Sequence, residues 1–299
     1  MQKVKASMMN AIHDLPLLVA RDEGFFRDQG LDVDIIRTPG SGQKDSDHQA
    51  LRANVFERTM EALYDQGACD QFRMCEWGVM KRAVESTVDK GHRPAKIVAL
   101  GSAMSTFAIV ADPKSGIYEP EQLKDKPIGV SPFNGSHFTT LKLLEGFLKR
   151  EQIKTKFAGT MRERIEALKG GEVAAISLME PWISVAEKQG LRVLMESHST
   201  RSEAAGDELD GPTLHKMFAA EAEAARAIEK NPSKYAHYLV EEAGGMLEMK
   251  DLRLSRIVNA PPEPYTRERF DQTYQWTLGW SLVPPGATYE NTVDNRAWQ

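Results

Sequence analysis

The chain has 299 residues, of which 41% are hydrophobic and 27% charged, with a formal net charge of -5. That length suits two domains, and the composition is that of an ordinary globular protein. The negative balance, with no basic block, argues against nucleic acid as the main partner. The longest apolar runs, such as residues 15–20, fall far short of a membrane span.

Met1 leads almost directly into Val4, Ala6 and Met8, with no apolar leader and cleavage site before them. The expected location is the cytoplasm as the sequence is written, or the periplasm if a leader has been removed. Two cysteines, Cys69 and Cys75, make neither a disulfide framework nor a zinc motif. No metal and no cofactor is expected.

In chain order, residues 4–9 predict a first strand, 10–14 (NAIHD) a loop, and 15–23 a short helix ending at Gly24. Residues 31–36 (LDVDII) alternate apolar and acidic side chains, which marks a second strand. A tight loop, TPGSG, follows at 38–42, then a stretch that becomes helical before residue 66. Further strands are expected at 72–74, 97–100 and 107–111, with a helix over 76–88. Residues 128–130 form a buried strand, followed by a polar turn and a helix in which Phe138, Leu141, Leu144 and Leu148 recur at spacings of three and four. A strand near Phe157, a helix at 162–168, a strand at 173–178, a helix at 181–188 and a strand at 191–195 come next. The rest reads as helical: 219–230, 232–242 and 270–282, interrupted by PPEP at 261–264.

Strands alternating with helices predict an α/β protein with largely parallel sheets. Ligands of such sheets collect beyond the C-terminal ends of the strands. Five connections meet that condition: NAIHD, TPGSG, RMCEWG at 73–78, SPFNGSH at 131–137 and LMEPW at 178–182. The turn at 131–136 is rich in helix-capping chemistry, and the N–H groups of the helix it opens suit an anion.

The order of these segments carries a resemblance. LPLLVARDEGFFRDQGLDVDII with its Gly-rich loop resembles the N-terminal signature of the nitrate, sulfonate and taurine solute-binding proteins of ABC transporters. That superfamily also holds the thiamine-pyrimidine precursor-binding proteins and synthases. IGVSPFNGSHFTTLKLLEGFL and RIEALKGGEVAAISLMEPWISVAEKQG resemble two later segments of the same proteins. The resemblance implies a two-lobed type II periplasmic-binding fold with mostly parallel sheets and an interdomain ligand cleft. Lobe one would take residues 1–105 and lobe two 106–195. Residues 196–299 would return to lobe one with a helical C-terminal segment.

Placed on that cleft, the ligand-binding candidates are Asn10 and His13, then Gly40 and Ser41, then Cys75, Glu76 and Trp77. Ser131, Asn134, Gly135, Ser136 and His137 follow, with Glu180 and Trp182 last. Trp77 and Trp182 would stack on a flat ligand, or simply pack. Glu76 and Glu180 would accept bonds from ligand N–H groups, or cap their helices. The implied ligand is a small polar organic molecule, nitrogen-containing or acidic, whose acidic group rests on the 131–136 turn. The implied partner is an ABC permease if the protein is exported, with neither nucleic acid nor membrane insertion.

An enzyme on the same scaffold is the alternative. Cys75 precedes a helix, where a thiol can act as a nucleophile, and His13 would be its partner. Relatives of this fold include a sulfinate-cleaving lyase that uses a cysteine and pyrimidine synthases that use histidine. The cysteine-rich run of those synthases is absent here. Such an enzyme would cleave a C–S, C–N or C–C bond of a small aromatic or heterocyclic substrate. A ligand sensor is the third reading.

Overall fold

The computed structural model describes residues 1–38, 60–88 and 91–299. Its strands are β1 (Gln2–Met8), β2 (Leu31–Arg37), β3 (Gln71–Met74), β4 (Lys96–Ala111), β5 (Pro127–Val130), β6 (Lys154–Phe157), β7 (Ala175–Met179), β8 (Arg192–Ala205) and β9 (Val258–Asn259). The chain divides into two compact units. Unit 1 takes residues 1–104, 200–235 and 259–299, and unit 2 takes 105–199 and 236–258. β4 and β8 each contribute residues to both. The segment 236–258, expected with lobe one, belongs to unit 2.

In unit 1 the strand order is β2-β1-β3-β8-β4. β1 runs parallel to β2, with Val4 opposite Val33, and parallel to β3, with Ala6 opposite Gln71. β3 and β8 are antiparallel, with Arg73 opposite Glu203 and Met74 opposite Ser202. Strand alternation sends Phe72 and Ala204 to one face, into a core with Tyr64, Val79, Met80, Tyr265 and Phe270. The same alternation sends Gln71, Arg73 and Glu203 to the other face. There the helices Ala11–Asp22 and Gly211–Lys230 pack on each other, and Arg73 bonds to Asp14 and Glu221 from them.

In unit 2 the order is β4-β7-β5-β6. β7, β5 and β6 are mutually parallel, and β4 is antiparallel to β7, with Phe107 opposite Met179. Ile128, Val130, Phe138, Leu141, Leu144, Ile165 and Ile176 are buried beneath its helices. Gly129 is a close approach: a Cβ there would stand 2.9 Å from Ala158 Cβ and 3.1 Å from Ile176 Cγ2.

Three sequence expectations need correction. Residues 10–14 are not a loop but the cap and first turn of the helix Ala11–Asp22, because the Asn10 side chain accepts the His13 N–H at 3.1 Å. The strands expected at 97–100 and 107–111 are one strand, β4. Its middle is held by Leu100, which exchanges backbone bonds with Glu263 at 2.8 and 3.1 Å, and by Ala260 N donating to Ser102 O at 3.0 Å. β8 continues ten residues past the expected end at 195, to Ala205. Its polar sequence is kept extended by the β3 ladder and by the buried partners of Glu203.

Candidate functional site

The candidate residues follow the C-terminal ends of parallel strands in each unit, where α/β sheets bind ligands. In unit 1 these are the ends of β1 at Met8 and β3 at Met74. Asn10 caps the helix that follows β1, and Asp14 is drawn back to the same turn by the N–H groups of Met9 and Asn10, at 2.7 and 3.2 Å. His13 is 1% exposed. Burial, and then the nearby Arg201 charge, hold its pKa well below the ordinary imidazole value, so the ring is neutral at pH 7.

Cys75 is buried, and burial raises its thiol pKa, an effect that Arg201 only partly offsets. The thiol is therefore protonated at neutral pH. It is not the activated thiolate that a nucleophilic role requires.

Glu76 and Trp77 open the helix Glu76–Val88 but turn toward the C-terminal segment of the same unit. Glu76 is buried and accepts from the Tyr265 hydroxyl and from Arg269 Nε at 2.9 Å. The carboxylate is thus committed to protein donors. Trp77 is buried with its ring tilted 44° against Trp276, the centroids 6.2 Å apart, so its role is packing. Gly40 and Ser41 lie outside the described residues.

In unit 2 the equivalent positions follow β5 and β7. Asn134 caps the helix Gly135–Leu144, its Oδ1 accepting from Ser136 N at 3.0 Å and Ser136 Oγ at 2.8 Å. Ser136 Oγ in turn accepts from Ser131 N at 3.0 Å. His137 Nδ1 accepts from Phe133 N at 3.2 Å, and Nε2 lies 3.3 Å from Thr155 Oγ1. Burial lowers the His137 pKa. Phe133 stands at φ +58 and is 59% exposed. The turn is therefore closed by its own side chains. Gly135 is buried within the first helical turn.

Glu180 is 1% exposed and belongs to a second ion cluster. It accepts from Ser184 N and Oγ at 3.2 and 3.0 Å and from Arg256 Nη1 at 3.1 Å. Arg256 also binds Glu187, at 2.6 Å, and Glu196. Burial outweighs the Arg256 charge and raises the Glu180 pKa. Trp182, two residues on, is half-buried at the start of the helix Trp182–Lys188.

Sequence reasoning missed a buried charged group of unit 1. Arg73, with a side chain 2% exposed, donates to Glu203 at 2.7 Å, Glu221 at 2.6 Å and Asp14 at 3.4 Å. Gln71 adds a bond to Glu203 at 2.6 Å and Ser102 one to Glu221 at 3.1 Å. Burial raises the Glu203 pKa against the pull of Arg73. One step further along β8 stands Arg201, which is 4% exposed. Strand alternation puts it on the face of Arg73 and Glu203. The register of β3 with β8 carries it to the level of Cys75. Arg201, in the polar stretch ESHSTRSEAA, reads as surface, whereas Arg73 sits in the predicted strand 72–74 without any sign of its distant partners.

Among the described residues, no group of three or more His, Cys, Asp or Glu side chains is arranged to hold a metal ion, and no helix is long and apolar enough to cross a membrane.

Compared with solved structures, the chain is similar along nearly its whole length to several proteins. The alkanesulfonate-binding protein SsuA from Xanthomonas axonopodis pv. citri, bound to MOPS, matches at 15% identity with a TM-score of 0.72 over 98% of both chains. The periplasmic nitrate-binding protein NrtA from Synechocystis PCC 6803 matches at 13% identity and a TM-score of 0.73, over 100% of this chain and 87% of that one. The desulfurization enzyme DSZB matches at 13% identity and a TM-score of 0.62, over 97% and 95%. No family model matches the chain, and no curated protein matches it. The chain has the periplasmic-binding-protein fold that the sequence resemblance implied.

Proposed function

We propose that the protein is a small-molecule binding protein that captures a polar organic ligand, as ABC-type solute-binding proteins do. The candidate ligand-facing groups are the Asn10, His13 and Cys75 end of the unit 1 sheet and, within unit 2, the turn 131–137 with Trp182. If the protein is exported, its partner would be an ABC permease. The comparison with SsuA and NrtA supports this reading through the fold alone, because fold and chemistry separate freely.

One observation carries binding over catalysis: the two groups that the enzyme reading needs, Cys75 and His13, are both buried, 5% and 1% exposed. The Cys75 thiol is pushed up and the His13 imidazole down, both by burial. An activated Cys–His pair needs the opposite, a thiolate beside an imidazolium. The likeness to DSZB keeps the enzyme reading in view, and the test is direct. Cys75→Ser is expected to leave ligand affinity nearly unchanged, because on this reading the neutral thiol packs as a small hydrophobe and carries no step. Alkylation of Cys75 is expected to be slower than that of a free thiol at neutral pH. Turnover of a bound molecule that disappears in Cys75→Ser would overturn the reading.

A further inference from the structure

Five arginines are buried among the described residues: Arg73, Arg82, Arg164, Arg201 and Arg256. Four are engaged by acceptors. Arg73 holds three carboxylates. Arg256 also holds three. Arg82 donates to Asp65 and to Arg93 O, and Arg164 to Ser177 O at 2.8 Å and Gly159 O at 3.2 Å. Arg201 differs. Among the described residues its guanidinium makes no hydrogen bond and no ion pair, and its Nε is fully enclosed without a partner.

A buried guanidinium with unused donors is costly, and native proteins leave few such groups. Burial opposes the Arg201 charge most, with Arg73 adding to it; Cys75 favours the charge, followed by the acids Asp14 and Glu203. Both acids are already taken. Asp14 accepts from Met9 N, Asn10 N and Arg73, and Glu203 from Gln71 and Arg73. They favour the charge at a distance and leave the donors of Arg201 unanswered. Arg201 also sits at the level of Cys75, at the end of the unit 1 sheet where ligands bind, with His13 beside it.

We propose that Arg201 anchors the acidic group of the ligand, a singly charged oxyanion such as a carboxylate or a sulfonate. This rests on the binding reading above and changes where the acidic group sits. The Ser131–Ser136 turn, expected to hold it, spends Ser131 N, Phe133 N and Ser136 N on its own side chains. One guanidinium fork matches two oxygens of such a group. A second negative charge is disfavoured, because Asp14 lies close and the nearby cation Arg73 is already spent on three carboxylates.

The test is calorimetric titration of the full chain with sodium methanesulfonate and sodium acetate, against sodium chloride at matched ionic strength and against a neutral amide and choline. Saturable binding of either organic anion is expected. It should fall by about 30-fold or more in Arg201→Met, the loss typical when one partner of a buried charge pair is removed. Arg201→Lys keeps the charge but not the fork, so it should fall less. Arg201→Met should melt no lower than wild type without ligand, since it removes an unpaired buried charge. Equal anion affinity in wild type, Arg201→Met and Arg201→Lys overturns the proposal. Binding of the amide or choline without the anions also overturns it, yet leaves the binding reading standing. No binding by any of the four organic probes counts against both.

Discussion

Replacing Arg73 with methionine removes the one cation that holds Glu203, Glu221 and Asp14 together under the unit 1 sheet. The three contacts are 2.7, 2.6 and 3.4 Å long, and all four side chains are 2% exposed or less. Breaking a buried pair from one side costs about 3–5 kcal/mol, because the remaining charge keeps its desolvation penalty. Local donors soften the loss. Gln71 still binds Glu203, Ser102 still binds Glu221, and the N–H groups of Met9 and Asn10 still bind Asp14. The expected loss is therefore about 3 kcal/mol at pH 8, near the low end of that range. It is also pH-dependent. Burial already raises the Glu203 pKa, and without Arg73 it rises further. A carboxyl whose folded pKa exceeds its unfolded value stabilises the protein at low pH and loses that contribution as pH rises. The slope is up to about 1.4 kcal/mol per pH unit for each such group. The assay is urea unfolding of wild type and Arg73→Met at pH 5.5 and pH 8. A deficit below about 1 kcal/mol at pH 8, or one of equal size at both pH values, would refute the reasoning.

The other predictions are smaller. Tyr265→Phe deletes the hydroxyl that binds Glu76 but leaves Arg269 in place, so unfolding should register a loss of about 1.5–3 kcal/mol. His13 and His137 both have depressed pKa values, so their stabilisation is complete above about pH 6.5 and declines as pH falls toward the folded-state values. Burial of Glu203 pulls the other way over this range, so the readout is the difference: the urea midpoint of His13→Gln should gain on that of wild type as pH falls from about 7.5 to 5.5. A Cβ on Gly101 would stand 2.6 Å from Glu203 Oε1 and 3.0 Å from Arg201 O, so Gly101→Ala should cost about 1–3 kcal/mol in a thermal or urea melt.

The strand–helix alternation was legible because apolar periodicity is local, and β2, the helix Glu76–Val88 and the buried β7 all stand close to where it put them. What failed depended on distant partners. β8 was cut short because ESHSTRSEAA has no apolar alternation. It is extended because β3, more than a hundred residues earlier, pairs with it. Glu76 and Glu180 stood out as acids beside aromatic or proline residues. Nothing nearby in sequence shows that Tyr265 and Arg269 bind the first and Arg256 the second. That Asn10, His13 and Cys75 follow strand ends was legible, because the strands before them carry apolar residues. Arg201, on an antiparallel strand that arrives from the other direction, was not.

The central claim is that the molecule holds an intact small acid and does not transform it. Native mass spectrometry of the purified protein, with identification of whatever it releases, tests this most directly. The account predicts one organic anion per chain, recovered unchanged after prolonged incubation with the protein and lost from Arg201→Met. A neutral or cationic passenger, or one consumed during incubation, would contradict it.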